Sequence, residues 1–355
     1  MKYRTFPNTD ISVSELGFGT WTISTGWWGE KSDEEAVGML RRAFDRGVTF
    51  FDAADAYGNG RSERQLAEAF RGIRDDVVLA TKIGYDIYDE EANRARRGQS
   101  ELPQRFDDAF MRLAVEKCLE RLETDRIDVL QLHNVKMEHV RDPRIWETCR
   151  ALQREGKIRA WGAAFGPAIG WLYEAIELVQ RESDIHTIQM IWNVLEQHPG
   201  TAMIEAARRH AQNCCFNIRV THASGMLEGK YTEDTVFADN DHRRHRPREW
   251  LINGLRKIRT LDFLTTRMTL GQAALKWLLA EPLVVTTLPN IYDDGQLAEF
   301  AAASDLDDLS AEQLDRVAEL NVRNFGVDES PMAYKGTMER PEEGALAASP
   351  GNRTR

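Results

Sequence analysis

Cysteine is scarce in this chain of 355 residues, and the four copies show no spacing typical of metal ligands. Cys118, Cys149, Cys214 and Cys215 are therefore interpreted as reduced thiols. No run of about 18 apolar residues occurs, and the N-terminal segment has no apolar core of the kind found in signal peptides. These absences predict a cytoplasmic protein without a membrane span, and no metal site is expected.

Positive charge is also in short supply, with 46 Lys and Arg against 57 Asp and Glu and a formal net charge of -11. Such a chain repels phosphate backbones, so we expect neither nucleic acid nor a membrane as a partner. One basic run, HRRHRPR at 242–248, is interpreted as a solvated loop or helix approach. A small molecule is the expected partner, and the composition leaves the oligomeric state open.

A glycine fingerprint GxGxxG after an early strand is missing as well, which disfavours a doubly wound dinucleotide-binding fold. Instead, eight short β-rich runs alternate with segments of helical periodicity. The runs are 14–20, 49–54, 77–82, 129–134, 160–165, 185–192, 215–220 and 284–290. Eight strand and helix repeats predict an α/β fold, namely a closed (β/α)8 TIM barrel.

Several helix starts and a hairpin can be placed on this pattern. Before the first run, residues 3–17 alternate in polarity around an Asn-Thr-Asp turn, which predicts an N-terminal β-hairpin that plugs the bottom of the barrel. Three helices are predicted to begin with capping boxes, whose residues are Ser32 and Glu35, Ser62 and Gln65, and Thr269 and Gln272.

The domain organisation follows from the same reading. Residues 1–325 are predicted to form one barrel domain, and residues 326–355 a partly flexible C-terminal extension of small and polar residues. Two long connections, 83–108 and 221–268, follow predicted strand ends. They therefore lie at the C-terminal face of the barrel, where the active sites of such barrels are found.

Four side chains with related chemistry stand at consecutive predicted strand ends. Asp52 ends the second run, Tyr57 follows in the next loop, Lys82 ends the third run and His133 ends the fourth. A buried lysine needs a carboxylate partner, which Asp52 supplies. A phenol is a weak acid unless a cation and an imidazole stabilise its phenolate. This set suits proton transfer to a carbonyl oxygen while hydride reaches the carbon.

At these residues the sequence resembles the aldo-keto reductase family. The resemblance runs in order through most of the chain, up to about residue 325. Its segments are LGFGTW (16–21), FDAADAYGNGRSE (51–63), ATKIG (80–84), VLQLHN (129–134), RLETDRIDVL (121–130), GKIRAWG (156–162), IQMIWN (188–193), GMLEGKY (225–231) and PNIYDDGQL (289–297).

The resemblance implies a barrel that binds a nicotinamide dinucleotide and uses a catalytic tetrad. Tyr57 would be the general acid, Lys82 and Asp52 the pair that tunes it, and His133 the group that orients the substrate carbonyl. Asp55, which lies between two of these residues, is not part of the tetrad. Its expected role is capping or pairing, with Arg61 as the candidate partner.

The implied cofactor contacts include several departures from the family. Ala164 and Phe165 replace a Ser-Asn pair that binds the nicotinamide carboxamide, while Gln189 retains a third anchor. Arg219 stands where the family stacks an aromatic ring on the nicotinamide. Its planar guanidinium suits stacking, and its charge favours the neutral reduced cofactor over the cationic oxidised one. An ion pair with an acidic neighbour, or a contact with an anionic substrate, is the alternative.

The other implied cofactor contacts are Gly19, Thr20, Trp21, Asp52, Gly225, Leu227, Lys230, Asn290, Tyr292 and Gln296. Family members that prefer NADP carry an arginine or lysine after the eighth strand, where this chain has Asp293 and Asp294. A carboxylate suits a ribose hydroxyl better than a phosphate. The cofactor is therefore expected to be NADP by family default, with NAD left open.

The predicted substrate contacts are Trp28, Tyr85, His133 and Asn134, which suit a sugar-like or aromatic carbonyl compound. The resulting hypothesis is an NAD(P)H-dependent reductase of an aldehyde or ketone. An NAD-linked sugar or polyol dehydrogenase working in the oxidative direction is one alternative. A non-catalytic protein that senses the cofactor on the same barrel is another.

Overall fold

The fold was analysed in a computed structural model that describes residues 1–89, 102–166, 172–239 and 241–329. Its main sheet consists of eight parallel strands in sequential order. They are β3 (Phe18–Gly19), β4 (Phe50–Asp52), β5 (Val78–Ile83), β6 (Ile127–His133), β7 (Ile158–Ala164), β8 (Thr187–Ile191), β9 (Cys215–Arg219) and β10 (Val284–Leu288). All eight predicted runs therefore contain a strand.

The sheet closes through a short bridge beside its first strand. Leu16 and Thr287 form an isolated parallel bridge. The Gly17 N–H donates to the Thr287 carbonyl oxygen at 2.8 Å, and the Thr287 N–H donates to the Glu15 carbonyl oxygen at 2.9 Å. These bonds join β10 to the segment that leads into β3, and the predicted closed barrel is confirmed.

The N-terminal hairpin is also confirmed. Strands β1 (Tyr3–Thr5) and β2 (Ser12–Ser14) pair antiparallel. The hairpin contributes Phe6, Ile11 and Val13 to an apolar cluster inside the barrel. The barrel residues in that cluster are Phe50, Val78, Ala80, Val129, Ala160, Cys215, Val285 and Leu288. The hairpin therefore fills the lower end of the barrel with apolar side chains.

Helices cover the outside of the barrel. Those described are α1 (Trp21–Ser24), α2 (Asp33–Asp45), α3 (Arg61–Ala69), α4 (Asp108–Leu122), α5 (Met137–Val140), α6 (Pro143–Arg154), α7 (Leu172–Arg181), α8 (Gly200–His210), α9 (Arg248–Arg259), α10 (Leu270–Leu279), α11 (Asp294–Ala302) and α12 (Ala311–Val322). In those ranges every helix is too short or too polar to pass through a lipid bilayer.

Two of the three predicted capping boxes are present, at the starts of α2 and α10. The third is wrong, because α3 begins at Arg61 after Gly60 in a left-handed conformation. The Ser62 hydroxyl donates instead to the Ala54 carbonyl oxygen at 3.0 Å. The Gln65 side chain does not bond back to the start of α3, because it accepts a hydrogen bond from Ser24 and donates one to Asp33.

Side chains alternate along each strand, so every second residue points into the barrel. On β6 these residues are Val129, Gln131 and His133, which run from the apolar lower layer to the upper rim. This alternation places polar residues together above the apolar plug. Residues 330–355 of the predicted extension 326–355 and residues 90–101 of the predicted connection 83–108 lie outside the described residues, and the domain boundary at 325 stays a prediction.

Candidate active site

Asp52 and Lys82 form a buried ion pair at the upper end of the barrel. The Lys82 Nζ donates to Asp52 Oδ2 at 2.5 Å and to the Ala53 carbonyl oxygen at 2.7 Å. Lys82 is fully buried and Asp52 is 4% exposed. Asp52 ends β4 opposite Ala80, and Lys82 lies two residues further along the neighbouring β5, so the parallel pairing brings the two side chains together as the sequence predicts.

Two glutamines complete the hydrogen bonding of the Asp52 carboxylate. Gln131 Nε2 donates to Asp52 Oδ1 at 2.9 Å, and Gln189 Nε2 donates to the same atom at 3.0 Å. Gln189, expected to anchor the nicotinamide carboxamide, therefore also supports the ion pair. Gln131 was missed in the sequence, although it stands two residues before His133 on the same inward face. Period-two alternation is the signal that identifies it.

Tyr57 lies over the buried lysine. The centre of its ring is 4.9 Å from Lys82 Nζ. Its backbone N–H donates to the Ala54 carbonyl oxygen at 3.0 Å, which turns the chain back over the end of β4. The ring is half-buried and meets the His133 ring edge to face at a centroid distance of 5.9 Å. Tyr57 thus contacts both of its predicted partners.

His133 ends β6, and its imidazole contacts two tyrosine rings. The Tyr85 ring centroid is 5.1 Å from the imidazole centroid, and the two rings meet edge to face, as the Tyr57 ring does. Burial lowers the pKa of His133 well below its usual value, and the charges of Lys82 and Arg219 lower it further. The imidazole is therefore neutral at neutral pH and can act as a hydrogen-bond donor or acceptor, but not as a cation.

The predicted substrate side is built around the residue after the histidine. Asn134 has a positive φ of 53°, and its amide donates to the Tyr85 hydroxyl at 2.7 Å. Gln104, from the connection after β5, donates to the carbonyl oxygens of both His133 and Asn134 at 2.9 Å. This loop therefore fixes the backbone that presents the imidazole, and Gln104 is a further residue that the sequence did not indicate.

Arg219 ends β9 and reaches across the upper end of the barrel. Its Nη2 donates to the Phe165 carbonyl oxygen at 2.8 Å. A Cβ at Gly166 would come within 1.8 Å of the same nitrogen, so any other residue here would displace the Arg219 guanidinium from this position. Burial lowers the pKa of Arg219, and the nearby Tyr57 and Asp52 oppose that change.

In the described parts of the chain no carboxylate lies within 4.0 Å of the Arg219 guanidinium, so the alternative of an ion pair with an acidic neighbour is not formed. The stacking role and the contact with an anionic substrate both remain open to this side chain, which lies beside the tetrad.

The upper end of the barrel fits a cofactor in two respects. A Cβ at Gly19, which ends β3, would meet no heavy atom within 4 Å, so this strand end borders open space. The buried Nδ1 of His133 has no hydrogen-bond partner within the described ranges. Thr20 is less available than expected, because its hydroxyl donates to the Asp52 carbonyl oxygen at 3.0 Å.

The loop after β9 contains a strained turn. Ala223, Ser224 and Gly225 follow one another with φ values of 49°, 58° and 91°. Consecutive positive φ values are unfavourable for residues with a side chain, and such strain is common at ligand sites. The Tyr231 hydroxyl donates to the Ser224 carbonyl oxygen at 2.8 Å and so supports the turn.

Two predicted cofactor contacts in this loop are less open than the sequence suggests. Leu227 is fully buried in the main core, and its N–H donates to the His222 carbonyl oxygen. Lys230 is half exposed and lies 3.5 Å from Glu228 and 3.9 Å from Glu299. It is a surface lysine between two carboxylates.

The same loop folds over the predicted substrate residue Trp28. The Arg243 guanidinium carbon lies 4.2 Å from the centre of the Trp28 ring. Arg243 also pairs with Asp241 at 2.5 Å and donates to the Tyr231 hydroxyl at 2.5 Å. Trp28 stacks in turn on Tyr292, at a centroid distance of 5.9 Å. Part of the basic run at 242–248 is therefore packed over aromatic rings, not solvated.

The predicted contact Trp21 meets the same tryptophan edge to face, with ring centroids 6.2 Å apart. The remaining predicted contacts stand where β10 leads into α11. Asn290 is partly exposed just beyond β10. The buried Gln296 accepts from the Tyr292 N–H at 3.1 Å and donates to Glu228 at 2.9 Å. The side chain of Gln296 therefore ties this strand end to the loop after β9.

The acidic pair before α11 is not isolated. Asp293 caps the helix by accepting from the Gln296 N–H at 2.7 Å, and Asp294 pairs with Arg42 at 2.7 Å. A surface groove beside them is also lined by Lys31 and Arg41. Sequence reasoning found only the acidic residues, because the basic ones come from α2 and the loop before it.

Comparisons with known proteins agree with this arrangement. A model of the aldo/keto reductase family matches residues 15–322. Aldo-keto reductase YhdN of Bacillus subtilis is 30% identical over 316 residues, covering 84% of this chain and 87% of that protein. A probable voltage-gated potassium channel subunit beta of Arabidopsis thaliana is 26% identical over 330 residues, covering 86% of this chain and 92% of that protein.

Among solved structures, aldo-keto reductase AKR11C1 from Bacillus halodurans in its holo form has a TM-score of 0.71 at 24% identity. The match covers 90% of this chain and 96% of that one. This likeness supports the barrel fold. From the family match and the relatives together, the chain belongs to the aldo/keto reductase family of NAD(P)H-dependent oxidoreductases.

Proposed function

We propose that this protein reduces an aldehyde or ketone to an alcohol, with Tyr57 as the general acid. The observation that carries the proposal is the position of Lys82, which is bonded to Asp52 on one side and lies against the Tyr57 ring on the other. A fixed cation beside a phenol stabilises the phenolate that remains after proton transfer. A neutral imidazole stands next to the same ring.

The bound reduced nicotinamide would supply a hydride to the carbonyl carbon. Tyr57 donates its hydroxyl proton to the carbonyl oxygen, which completes the alcohol and leaves a phenolate facing Lys82. His133, which carries no charge, orients the carbonyl oxygen toward the phenol. Tyr57 then regains a proton from solvent before the next turnover.

For the cofactor we propose NADPH, with NADH as the alternative that Asp293 and Asp294 favour. Gln189 and Arg219 would face the nicotinamide, Arg219 by stacking on its ring. At the end of the proposed site away from the nicotinamide, Tyr292 lines the surface groove. Carboxylates and the basic residue Arg42 line the same groove. A titration with both dinucleotides tests this: tenfold tighter binding of NADPH is expected, and tighter binding of NADH would reverse the assignment.

Trp28, Tyr85 and Asn134 would form the wall that contacts the substrate. Their mixture of rings and amide groups suits a sugar-like or aromatic carbonyl compound. A dehydrogenase working in the oxidative direction would use the same residues, because proton and hydride transfer are reversible. Assays with matched aldehyde and alcohol pairs in both directions separate these two functions.

A second candidate is a protein that binds the cofactor without turnover. The likeness to a probable potassium channel subunit beta favours it, and the intact tetrad counts against it. Turnover of a panel of aldehydes, followed by nicotinamide absorbance, separates the two candidate functions. Saturable binding of the cofactor with no turnover in either direction would support the sensor.

Tyr57→Phe is the direct test of the proposed acid. We expect turnover to fall by about 100-fold or more, since general acids commonly contribute that much. The dissociation constant of the cofactor should change by no more than about twofold. A variant with wild-type turnover would exclude Tyr57 as the acid.

A further inference from the structure

Asp55 is a buried carboxyl group that the proposed chemistry does not use. It lies three residues after Asp52 and is fully buried. Its backbone N–H donates to the Lys82 carbonyl oxygen at 3.0 Å. Neither carboxyl oxygen has a hydrogen-bond partner within the described residues. A side chain of this kind beside the catalytic lysine needs a physical explanation.

The partner expected from the sequence is engaged elsewhere. Arg61 Nε donates to Asp33 at 2.6 Å, and its other nitrogens donate to the carbonyl oxygens of Ser24 and Lys31. Arg61 begins α3 and faces α2, because the loop after β4 turns Asp55 inward and Arg61 outward. The predicted pairing of Asp55 with Arg61 is therefore wrong.

The nearest groups from other elements give Asp55 no free cation. On α3, the fully buried Glu63 accepts from Thr81 at 2.7 Å and from Arg121 at 2.5 Å. Arg121, on α4, is thus already paired with a carboxylate. The remaining titratable groups that face Asp55 are the thiol of Cys118 and the phenol of Tyr88.

An ionised Asp55 would therefore add an unpaired negative charge to the protein interior. Such a charge is strongly unfavourable, and a carboxyl group in this position takes up a proton instead. Burial raises the pKa of Asp55 well above its usual value, and the Glu63 charge raises it further. Arg121, Lys82 and the nearby Ala56 N–H, which does not reach hydrogen-bonding geometry, oppose the shift only in part. The described residues contain no group of acids, His and Cys arranged to hold a metal ion here.

We propose that Asp55 is a positioning residue that holds its proton at neutral pH, so that Lys82 faces the negative charge of Asp52 alone. The inference rests on the proposed role of Tyr57. With a single carboxylate beside it, Lys82 keeps its electrostatic effect on the phenolate. A second carboxylate next to Lys82 would weaken that effect and make the phenolate harder to form.

Glu63 adds to the effect of burial on Asp55. Its negative charge repels a second anion, and it also occupies Arg121. Replacing Glu63 with glutamine removes the repulsion and releases Arg121, so Asp55 should ionise at a lower pH than in the wild type, below the alkaline limb of the activity profile. The negative charge then moves from α3 to the residue that is hydrogen-bonded to the Lys82 backbone.

The first test is an infrared difference spectrum of wild type minus Asp55→Asn at neutral pH. We expect the carbonyl band of a neutral carboxylic acid. The matched control is Asp33→Asn, which removes an aspartate that is paired with Arg61 and should give only carboxylate bands. A carboxylate signal for Asp55 would overturn the proposal. This readout needs no turnover, so it does not depend on Tyr57.

The second test is the pH profile of kcat/KM for carbonyl reduction. In Glu63→Gln we expect the alkaline limb to move up by about one pH unit, as for a unit charge moved several ångströms closer. The double variant Glu63→Gln with Asp55→Asn should return to the wild-type profile, and Asp55→Asn alone should keep it.

Identical profiles for the single Glu63→Gln variant and the double variant would contradict the inference. If Glu63→Gln fails to fold, the infrared result decides alone. A failure of the proposed function would give a different result, because Tyr57→Phe would then keep wild-type turnover whatever the protonation state of Asp55.

Discussion

The Lys82 ammonium lies 2.5 Å from the Asp52 carboxylate and 4.9 Å from the centre of the Tyr57 ring. The ion pair is buried under the ring, and Gln131 and Gln189 satisfy the second carboxylate oxygen. Because each charge is the main compensation of the other, removal of one partner has two effects. It changes the environment of the phenol, and it leaves an uncompensated buried charge.

Lys82→Met should therefore lose both turnover and stability. We expect turnover to fall by about 100-fold or more and the free energy of unfolding to fall by about 3 to 5 kcal/mol. Urea unfolding and a carbonyl reduction assay measure the two effects separately.

The double variant Lys82→Met with Asp52→Asn is the control. It removes both charges, so most of the lost stability should return while turnover stays low. Recovery of turnover in the double variant would show that Lys82 acts only through stability.

Arg219 offers a test of cofactor binding by charge. In Arg219→Gln, which is neutral and of similar length, we expect the ratio of the dissociation constants for oxidised and reduced cofactor to fall by about fivefold or more. Arg219→Lys keeps the charge and should keep most of the ratio, although it loses the planar group. Equal ratios in all three proteins would remove the stacking hypothesis and favour an anionic substrate.

The buried His133 should make the free energy of unfolding depend on pH in the acidic range. Its pKa is lowered in the folded protein, so the unfolded chain binds a proton first as the pH falls below about 6.5. The contribution of neutral His133 is therefore complete above that pH and is lost as the pH falls toward the folded value.

In His133→Asn the free energy of unfolding should fall less steeply with acid, by up to about 1.4 kcal/mol per pH unit. Denaturant unfolding at several pH values between about 6.5 and 5 measures the slope. His210→Asn, at an exposed histidine on α8, is the control for the loss of a surface histidine. A wild-type slope in His133→Asn would mean that this histidine titrates as in the unfolded chain.

Substitution of Asp128 should lower the stability of the protein and leave its catalytic activity unchanged. This fully buried carboxylate, near the start of β6, accepts from Arg159 at 2.7 Å and from the Leu79 N–H at 2.8 Å, and it pairs with Arg74 at 2.8 Å. Asp128→Asn should lower the free energy of unfolding by about 3 kcal/mol. Its kcat under native conditions should match wild type, because the tetrad lies at the opposite ends of the strands.

The matched control is Asp125→Asn. That carboxylate is 88% exposed and lies 3.5 Å from Arg126, so the change should stay within about 0.5 kcal/mol. Equal effects of the two substitutions in urea unfolding would show that burial of Asp128 is unimportant.

The fold was predictable because each strand run carries its own signal. Apolar β-rich segments and the helices between them repeat eight times, and this order is enough to predict a barrel. The helix starts were less certain, since a capping box is a local pattern. At Ser62 the pattern is present in the sequence, but contacts with Ala54 and Asp33 determine where the side chains of this segment go.

The grouping of the four predicted tetrad residues was predictable for a related reason: Asp52, Lys82 and His133 lie at or next to the ends of parallel strands, and Tyr57 follows in the loop after β4. Period-two alternation would also have identified Gln131. The charges around Asp293 and Asp294 could not be judged in the same way, because Arg42 lies more than 250 positions earlier in the chain. Only folding places it 2.7 Å from Asp294. The pairing of Asp55 failed similarly, since sequence proximity does not reveal which way a loop turns.

The hairpin side chains Phe6, Ile11 and Val13 close the lower end of the barrel in the part of the chain that the structure describes. A molecule that reaches Tyr57 from the upper rim therefore leaves past the same rim, and of two ligands bound there the deeper one binds first and dissociates last. Substitutions at that rim are thus expected to alter the order and speed of ligand exchange while the reaction itself proceeds unchanged.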